Sequence, residues 1–191
     1  MEDNYLTICT QKKFNSLINE KGCLKGNFII TGNNISSLGC LKRVYGNLGI
    51  NSNHLIDLGQ LNYVKNDFWI LKAQKLTSLG NIKKIGGTIT LRYSNIDDLG
   101  KLKTVGNTLC LRDTNIKILS NLREVHILLL PDRFKNKNID FIKTTEIKYF
   151  RNKKKDRMKN LKQKLLVLLI IINVVSFLYL IIEIVRNFLL I

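Results

Sequence analysis

From Gly26 onward the chain repeats one phrase five times. The copies are GNFIITGNNISSLGCLKRVY, GNLGINSNHLIDLGQLNYVK, NDFWILKAQKLTSLGNIKKIG, GTITLRYSNIDDLGKLKTVG and NTLCLRDTNIKILSNLREVH, starting at Gly26, Gly46, Asn66, Gly87 and Asn107. The period is 20 residues, with 21 in the middle copy. Apolar letters stay fixed and polar letters drift, in the frame L-x-L-x-x-(N/S/T/Q)-x-(I/L)-x-x-L-G-x-L-x-x-V. No segment this short can hide its own apolar side, so neighbouring copies must stack on one another.

The L-x-L piece alternates with period two and is expected as a short strand with both apolar residues inward. The inward pairs are expected at Phe28/Ile30, Leu48/Ile50, Trp69/Leu71, Ile89/Leu91 and Leu109/Leu111. Asn33, Asn53, Gln74, Ser94 and Thr114 follow, one per coil. They are expected as a buried polar ladder that bonds the turn backbone of the next coil, since buried polar groups need partners. Ile35, Leu55, Leu76, Ile96 and Ile116 point inward again. Steps of three then lead through Leu38, Leu41 and Val44 and their equivalents, which suits a loose turn of helix or a 3₁₀ segment. Gly39, Gly59, Gly80 and Gly100 fall where the backbone must turn, with Ser120 in the last copy. The expected fold class is α/β leaning to β: a right-handed solenoid with a parallel sheet on one face.

The stretch from Leu109 to Ile116, LCLRDTNI, resembles the leucine-rich-repeat core L-x-L-x-x-N-x-L, with Thr114 in the asparagine place. The phrasing from Gly46 to Val64 is similar to the receptor L-domain variety of that family. The likeness covers about residues 25–130 and implies a leucine-rich-repeat solenoid that binds other proteins. It names no partner, because fold does not fix function.

Both ends of the stack need covers. Residues 1–25 are expected as the N-terminal cap, with QKKFNSLINEK a short helix turning Phe14, Leu17 and Ile18 inward. The solenoid is placed at 26–130. HILLLPDRF is expected as a final strand closed by Pro131, the one proline. Residues 131–164 are expected as a C-terminal cap and basic juxtamembrane segment. There NIDFIKTTEIKYF folds on the last coil through Ile139, Phe141, Ile142 and Ile147.

The net charge is +17, unevenly spread. Between Arg133 and Lys164 thirteen Lys/Arg face three acids, Asp140, Glu146 and Asp156. An apolar run follows at once: LLVLLIIINVVSFLYLII from Leu165, then EIVRNFLLI. The span expected to cross a membrane is 165–185, about 32 Å as a helix, which matches a bilayer core. The basic flank precedes it, so the positive-inside rule places the N-terminal side in the cytosol. The arrangement resembles a single-pass, tail-anchored protein with a short tail at 186–191. Lys153, Lys154, Lys155 and Arg157 are expected at the lipid surface. Asn173, Ser176 and Glu183 draw a polar stripe suited to self-association of the helix. MEDNYLTICTQKKF carries no signal-peptide pattern. Reduced thiols are therefore expected at Cys9, Cys23, Cys40 and Cys110.

Nothing points to catalysis. There are two histidines, His54 and His126, and no HExxH, Walker loop, GxSxG or metal-spaced cysteines. No enzyme activity, metal, cofactor or small-molecule substrate is expected. Outward positions beside the strand residues form a column Thr31, Asn51, Lys72, Arg92 and Arg112, and a second at Ile29, Gly49, Ile70, Thr90 and Cys110. With Phe68 and Tyr93 near them, Lys72, Arg92 and Arg112 form the candidate partner-binding stripe. The expected function is a membrane-anchored, non-catalytic protein-interaction module. The alternative is anionic-lipid or nucleic-acid binding through 133–164, with the solenoid as a spacer.

Overall fold

The computed structural model describes residues 4–92, 94–112, 114–150 and 160–173. The chain divides into two units, 1–151 and 152–191.

The first unit is a parallel β-solenoid of about seven turns. Its front ladder joins β1 (Tyr5–Thr10), β3 (Asn27–Asn34), β5 (Leu48–Asn51), β7 (Phe68–Leu71) and β9 (Ile89–Arg92), each parallel to the next. It continues through β10 (Thr104–Cys110), β11 (Glu124–Pro131) and β12 (Glu146–Phe150). A second ladder, which the repeat frame did not suggest, joins β2 (Cys23–Lys25), β4 (Arg43–Tyr45), β6 (Tyr63–Val64) and β8 (Lys84–Ile85). It runs on into the first halves of β10 and β11, which bend through a register shift from one ladder into the other. Bridges between Ser37 and Asp57 and between Ser78 and Asp98 mark a third line of contact. The parallel sheet is therefore not confined to one face.

The steps of three at Leu38, Leu41 and Val44 belong to this geometry and not to a helix. Leu41 N–H bonds Leu38 O at 3.0 Å, and Leu61 bonds Leu58 at 3.1 Å, so each coil makes one β-turn and then extends. The turn glycines hold φ of +50 to +57. A left-handed residue at that place cannot propagate a helix. The backbone groups freed there bond the next rung instead, as Gln60 N–H does to Gly39 O at 2.9 Å. Ser37 and Asp57 take the N–H of Gly39 and Gly59 at 3.0 and 2.7 Å, and bond each other at 2.6 Å. Ser78 and Asp98 repeat the pattern at 2.8 Å.

The core is one continuous apolar column from Ile8 to Ile142. Phe28/Ile30, Leu48/Ile50, Ile89/Leu91 and Leu109/Leu111 all point into it as expected. The third coil differs. Phe68 and Ile70 are fully buried, while Trp69 and Leu71 are half-buried on the outside. The register pairs Phe68 with Leu48 and Ile89, so the extra residue of the 21-residue copy lies after the strand. It is absorbed at Lys72, which adopts φ +57, the one positive φ outside glycine among the described residues.

The polar ladder also falls elsewhere. Ser94 and Thr114 are buried, and Thr114 donates to Leu111 O at 2.8 Å. Asn33, Asn53 and Gln74 are exposed, because their side chains turn outward at the corner. The ladder that does form stands just before the front strands. Asn27 Oδ1 accepts from Asn47 N, Asn47 Oδ1 from Asp67 N, and Asp67 Oδ1 from Thr88 N, at 2.9, 2.9 and 2.6 Å. Each side chain thus ties its rung to the next where the front strands begin.

Short elements cover both ends of the stack. Helix α1 (Gln11–Leu17) buries Phe14, and Leu17 and Ile18 pack partly on the core. Ahead of it, β1 already forms the first rung of the sheet. At the other end β11 is not the final strand, since β12 pairs to it. Ile139 and Ile142 are buried and Ile147 is half-buried, but Phe141 is exposed at 47%. Phe134, on the short 3₁₀ turn Asp132–Phe134, fills the space instead. Arg133 closes the last coil through Thr114 O at 2.9 Å and Ile116 O at 2.7 Å. Burial lowers the pKa of its guanidinium.

Of the second unit, residues 160–173 are described and form one helix, α2, with every residue exposed. Among the described residues no helix is long and apolar enough to cross a membrane. The 174–185 part of the expected span lies outside the described residues, as do Lys153, Lys154, Lys155 and Arg157.

Candidate functional site

The front ladder offers an outward face whose composition follows from strand alternation. On it stand Ile29, Trp69, Leu71, Cys110, Ile127 and Leu129, all half-buried, flanked by Asn and Thr side chains. Trp69 lies across Gly49 of the previous rung, where any Cβ would run into the indole. Glycine is needed there for that reason and not for its φ. The Trp69 ring meets Tyr5 edge-on, with centroids 5.5 Å apart and planes at 71°. Asn47 Nδ2 donates to the Tyr5 hydroxyl at 2.9 Å. A cap residue, a ladder residue and a strand residue are thus locked together across four rungs. At the other end of the face Arg112 is exposed, with its guanidinium carbon 4.3 Å from the centre of the Phe150 ring. That stacking pre-orders a charged fork beside an aromatic ring.

The expected stripe is partly reassembled by this geometry. Arg112 takes its expected outward place. Phe68 is a core residue and is unavailable to a partner; Trp69 occupies the aromatic place instead, and Ile70 leaves the second column for the core. Lys72 is exposed but sits in the bulge, and Leu71 fills its position beside Asn51. The Arg92 backbone pairs with Leu71. Its side chain and Tyr93 lie outside the described residues. Trp69 escaped the sequence reading because all four residues of FWIL are apolar, so alternation fits either register.

The second ladder presents another outward face, with Arg43 and Tyr45 on one rung, Tyr63 and Lys65 on the next and Lys84 on the third. Tyr45 and Tyr63 meet edge-on at 6.2 Å. The Tyr45 hydroxyl beside Arg43 raises the pKa of that guanidinium. Gly86 and Gly106 line a recess of about 620 Å³ that runs from Tyr63 and Lys65 at one end to Lys143, Thr144 and Thr145 at the other. The four cysteines are free, with Cys9 and Cys40 exposed and Cys23 and Cys110 half-buried. Among the described residues no three His, Cys, Asp or Glu side chains gather where they could hold a metal ion. Comparison with protein-family models, with curated proteins and with solved structures gives no match to this chain.

Proposed function

We propose that the chain is a non-catalytic recognition solenoid of the leucine-rich-repeat kind, held at a membrane by its C-terminal helix, which captures a protein partner on the front face. The observation that carries this is the make-up of that face. Its half-buried strip is apolar and has Trp, Tyr and Arg pinned in place by their neighbours. These residue types supply most of the energy in protein interfaces, and fixing them beforehand lowers the ordering cost of binding.

The membrane reading is supported by α2. Leu165 to Ile172 are each more than half exposed and run apolar on every side of the helix. A helix apolar all round is at home in lipid or in a large core. In this reading the solenoid faces the cytosol and the helix spans once. Alkaline extraction and protease treatment of sealed membranes test it: the chain stays in the pellet and the solenoid is digested from the cytosolic side.

The alternative through 133–164 loses its described half to structural work. Arg133 and Lys137 bond carbonyls of the last coil. Lys135, Lys143 and Lys148 pair with Asp132, Glu124 and Glu146. That reading then rests on the cations of 151–164, among them Lys153, Lys154, Lys155 and Arg157 and the exposed Lys162 and Lys164 of α2.

For a partner recovered with the full-length chain, Trp69→Ala is expected to weaken binding by about thirtyfold or more, as for an interface anchor. Arg112→Glu should weaken it by about tenfold. Titration calorimetry with the purified partner reads both. Unchanged affinity in both variants removes the front face from the account.

A further inference from the structure

One side of the solenoid carries a continuous run of cations. The acids Asp57 and Asp98 stand on the third line of contact, while cations gather on the second ladder and at the corner that leads into it. At that corner one residue per rung stacks by backbone bonds: Asn62 on Lys42, Lys83 on Asn62, Lys103 on Lys83 and Arg123 on Lys103, each at 2.9 Å. All but Asn62 are cationic. Beside this column the strand positions add Arg43, Lys65 and Lys84, all exposed. Glu124 is the one acid on this face among the described residues, and it pairs with Lys143 at 3.5 Å. The other lysines of this face form no ion pair among the described residues. Rungs repeat at about 4.8 Å, so from Lys42 to Lys143 the track extends roughly 24 Å.

Three features select among the anions such a track attracts. Lysine dominates, and its ammonium meets phosphate as a point charge. Tyr45, 40% exposed, and the half-buried Tyr63 stand in line with the track and offer ring surface. The surface is also recessed: Gly86 and Gly106 let successive rungs approach closely, since a Cβ at either would strike the backbone of the rung before it, and a notch runs from Lys65 to Thr145. A flat planar group fits such a notch, and a smooth lipid surface does not. A cationic groove with aromatic platforms is how unpaired nucleic-acid strands are held without sequence preference.

We propose that the second face binds single-stranded nucleic acid, with the phosphates along the lysine track and bases against the tyrosines and in the glycine-lined notch. The track accommodates about four nucleotides, the short end of the range for such sites. This function is separate from protein capture on the front face.

The test uses the full-length chain held in neutral-lipid nanodiscs, free of detergent, and fluorescence anisotropy. The probes are a short oligouridylate, a short oligothymidylate, a polyglutamate peptide and anionic phospholipid vesicles. Both oligonucleotides are expected to bind more tightly than polyglutamate or vesicles, and the difference between the two tells RNA from DNA preference. Combined Lys65→Glu, Lys84→Glu and Lys103→Glu should weaken oligonucleotide binding at least tenfold. It should also make the log-affinity against log-salt slope shallower by about two, as expected for three lost phosphate contacts. Tyr45→Ala, which leaves the charge untouched, should weaken the oligonucleotides roughly fivefold or more and leave polyglutamate unchanged. Trp69→Ala should leave oligonucleotide binding intact, which separates this site from the front face. The proposal is overturned if polyglutamate or vesicles bind as tightly as the oligonucleotides. It is equally overturned if oligonucleotide binding survives the triple reversal and disappears when Lys153, Lys154, Lys155 and Arg157 are neutralised.

Discussion

Phe68→Ala is expected to destabilise the solenoid by about 3–5 kcal/mol, the usual cost of emptying a buried phenylalanine site. Its neighbour Trp69→Ala, a larger truncation by volume, is expected to cost much less. Phe68 is fully buried in the third coil, between Leu48 and Ile89. No neighbour can move into the space without breaking the rung spacing that the backbone bonds set. In a stack, one damaged rung weakens the interfaces on both its sides, so a central site has more effect than a terminal one. Trp69 loses its ring contact with Tyr5 but leaves no hole in the core. Urea denaturation of the full-length chain, followed by circular dichroism, compares the two. A drop for Trp69→Ala as large as that for Phe68→Ala would show that the register of the third coil is the other one.

The turn glycines give the second large effect, and they differ among themselves. Gly39 and Gly59 share a left-handed backbone, φ +50 and +55. Alanine at Gly39 meets nothing within 4 Å, so its cost is that of the left-handed conformation, about 1–2 kcal/mol. Alanine at Gly59 pays the same conformational cost and also drives its Cβ into the carbonyl of Gly39 on the rung below. Backbone cannot rotate away as a side-chain tip can. Overpacking of this kind adds about 1–3 kcal/mol. The expected order of melting temperatures is wild type, then Gly39→Ala, then Gly59→Ala. The second step should be about 2–4 °C per kcal/mol in a chain of this size. Equal effects at the two glycines would mean that the rungs do not stack glycine on glycine at this corner.

The stacking itself was legible because it is written in spacing. A 20-residue period with fixed apolar letters leaves few ways to hide the apolar side, and four of the five inward pairs fall where alternation puts them. Register was not legible in the third coil. FWIL is apolar throughout, and a one-residue slip exchanges the two faces of a strand. The residue that does fix it stands just before the strand: Asp67 occupies the place of Asn27 and Asn47 and takes the next rung's N–H. The second ladder was hidden for a different reason. Leu38, Leu41 and Val44 at steps of three fit a helical turn as well as three corners of a coil, and only backbone bonding between rungs decides. The polar ladder was misplaced because a polar residue between two inward positions can turn either way at a corner. Ser94 and Thr114 turn in, and Asn33 and Asn53 turn out. On the front face Arg112 stands outward as expected, whereas Trp69, expected inward, stands outward too, and both placements follow from these register choices.

A nuclear Overhauser spectrum of the full-length chain in detergent, read between rungs, bears most directly on the stacked solenoid and its front face. The expected pattern links the Phe68 ring to Leu48 and Ile89 side chains, and the Trp69 indole to the Tyr5 ring. Amide contacts should connect residues 20 or 21 apart along both ladders. Indole contacts to Leu48 or Ile89, or an absence of contacts at the repeat spacing, would contradict it.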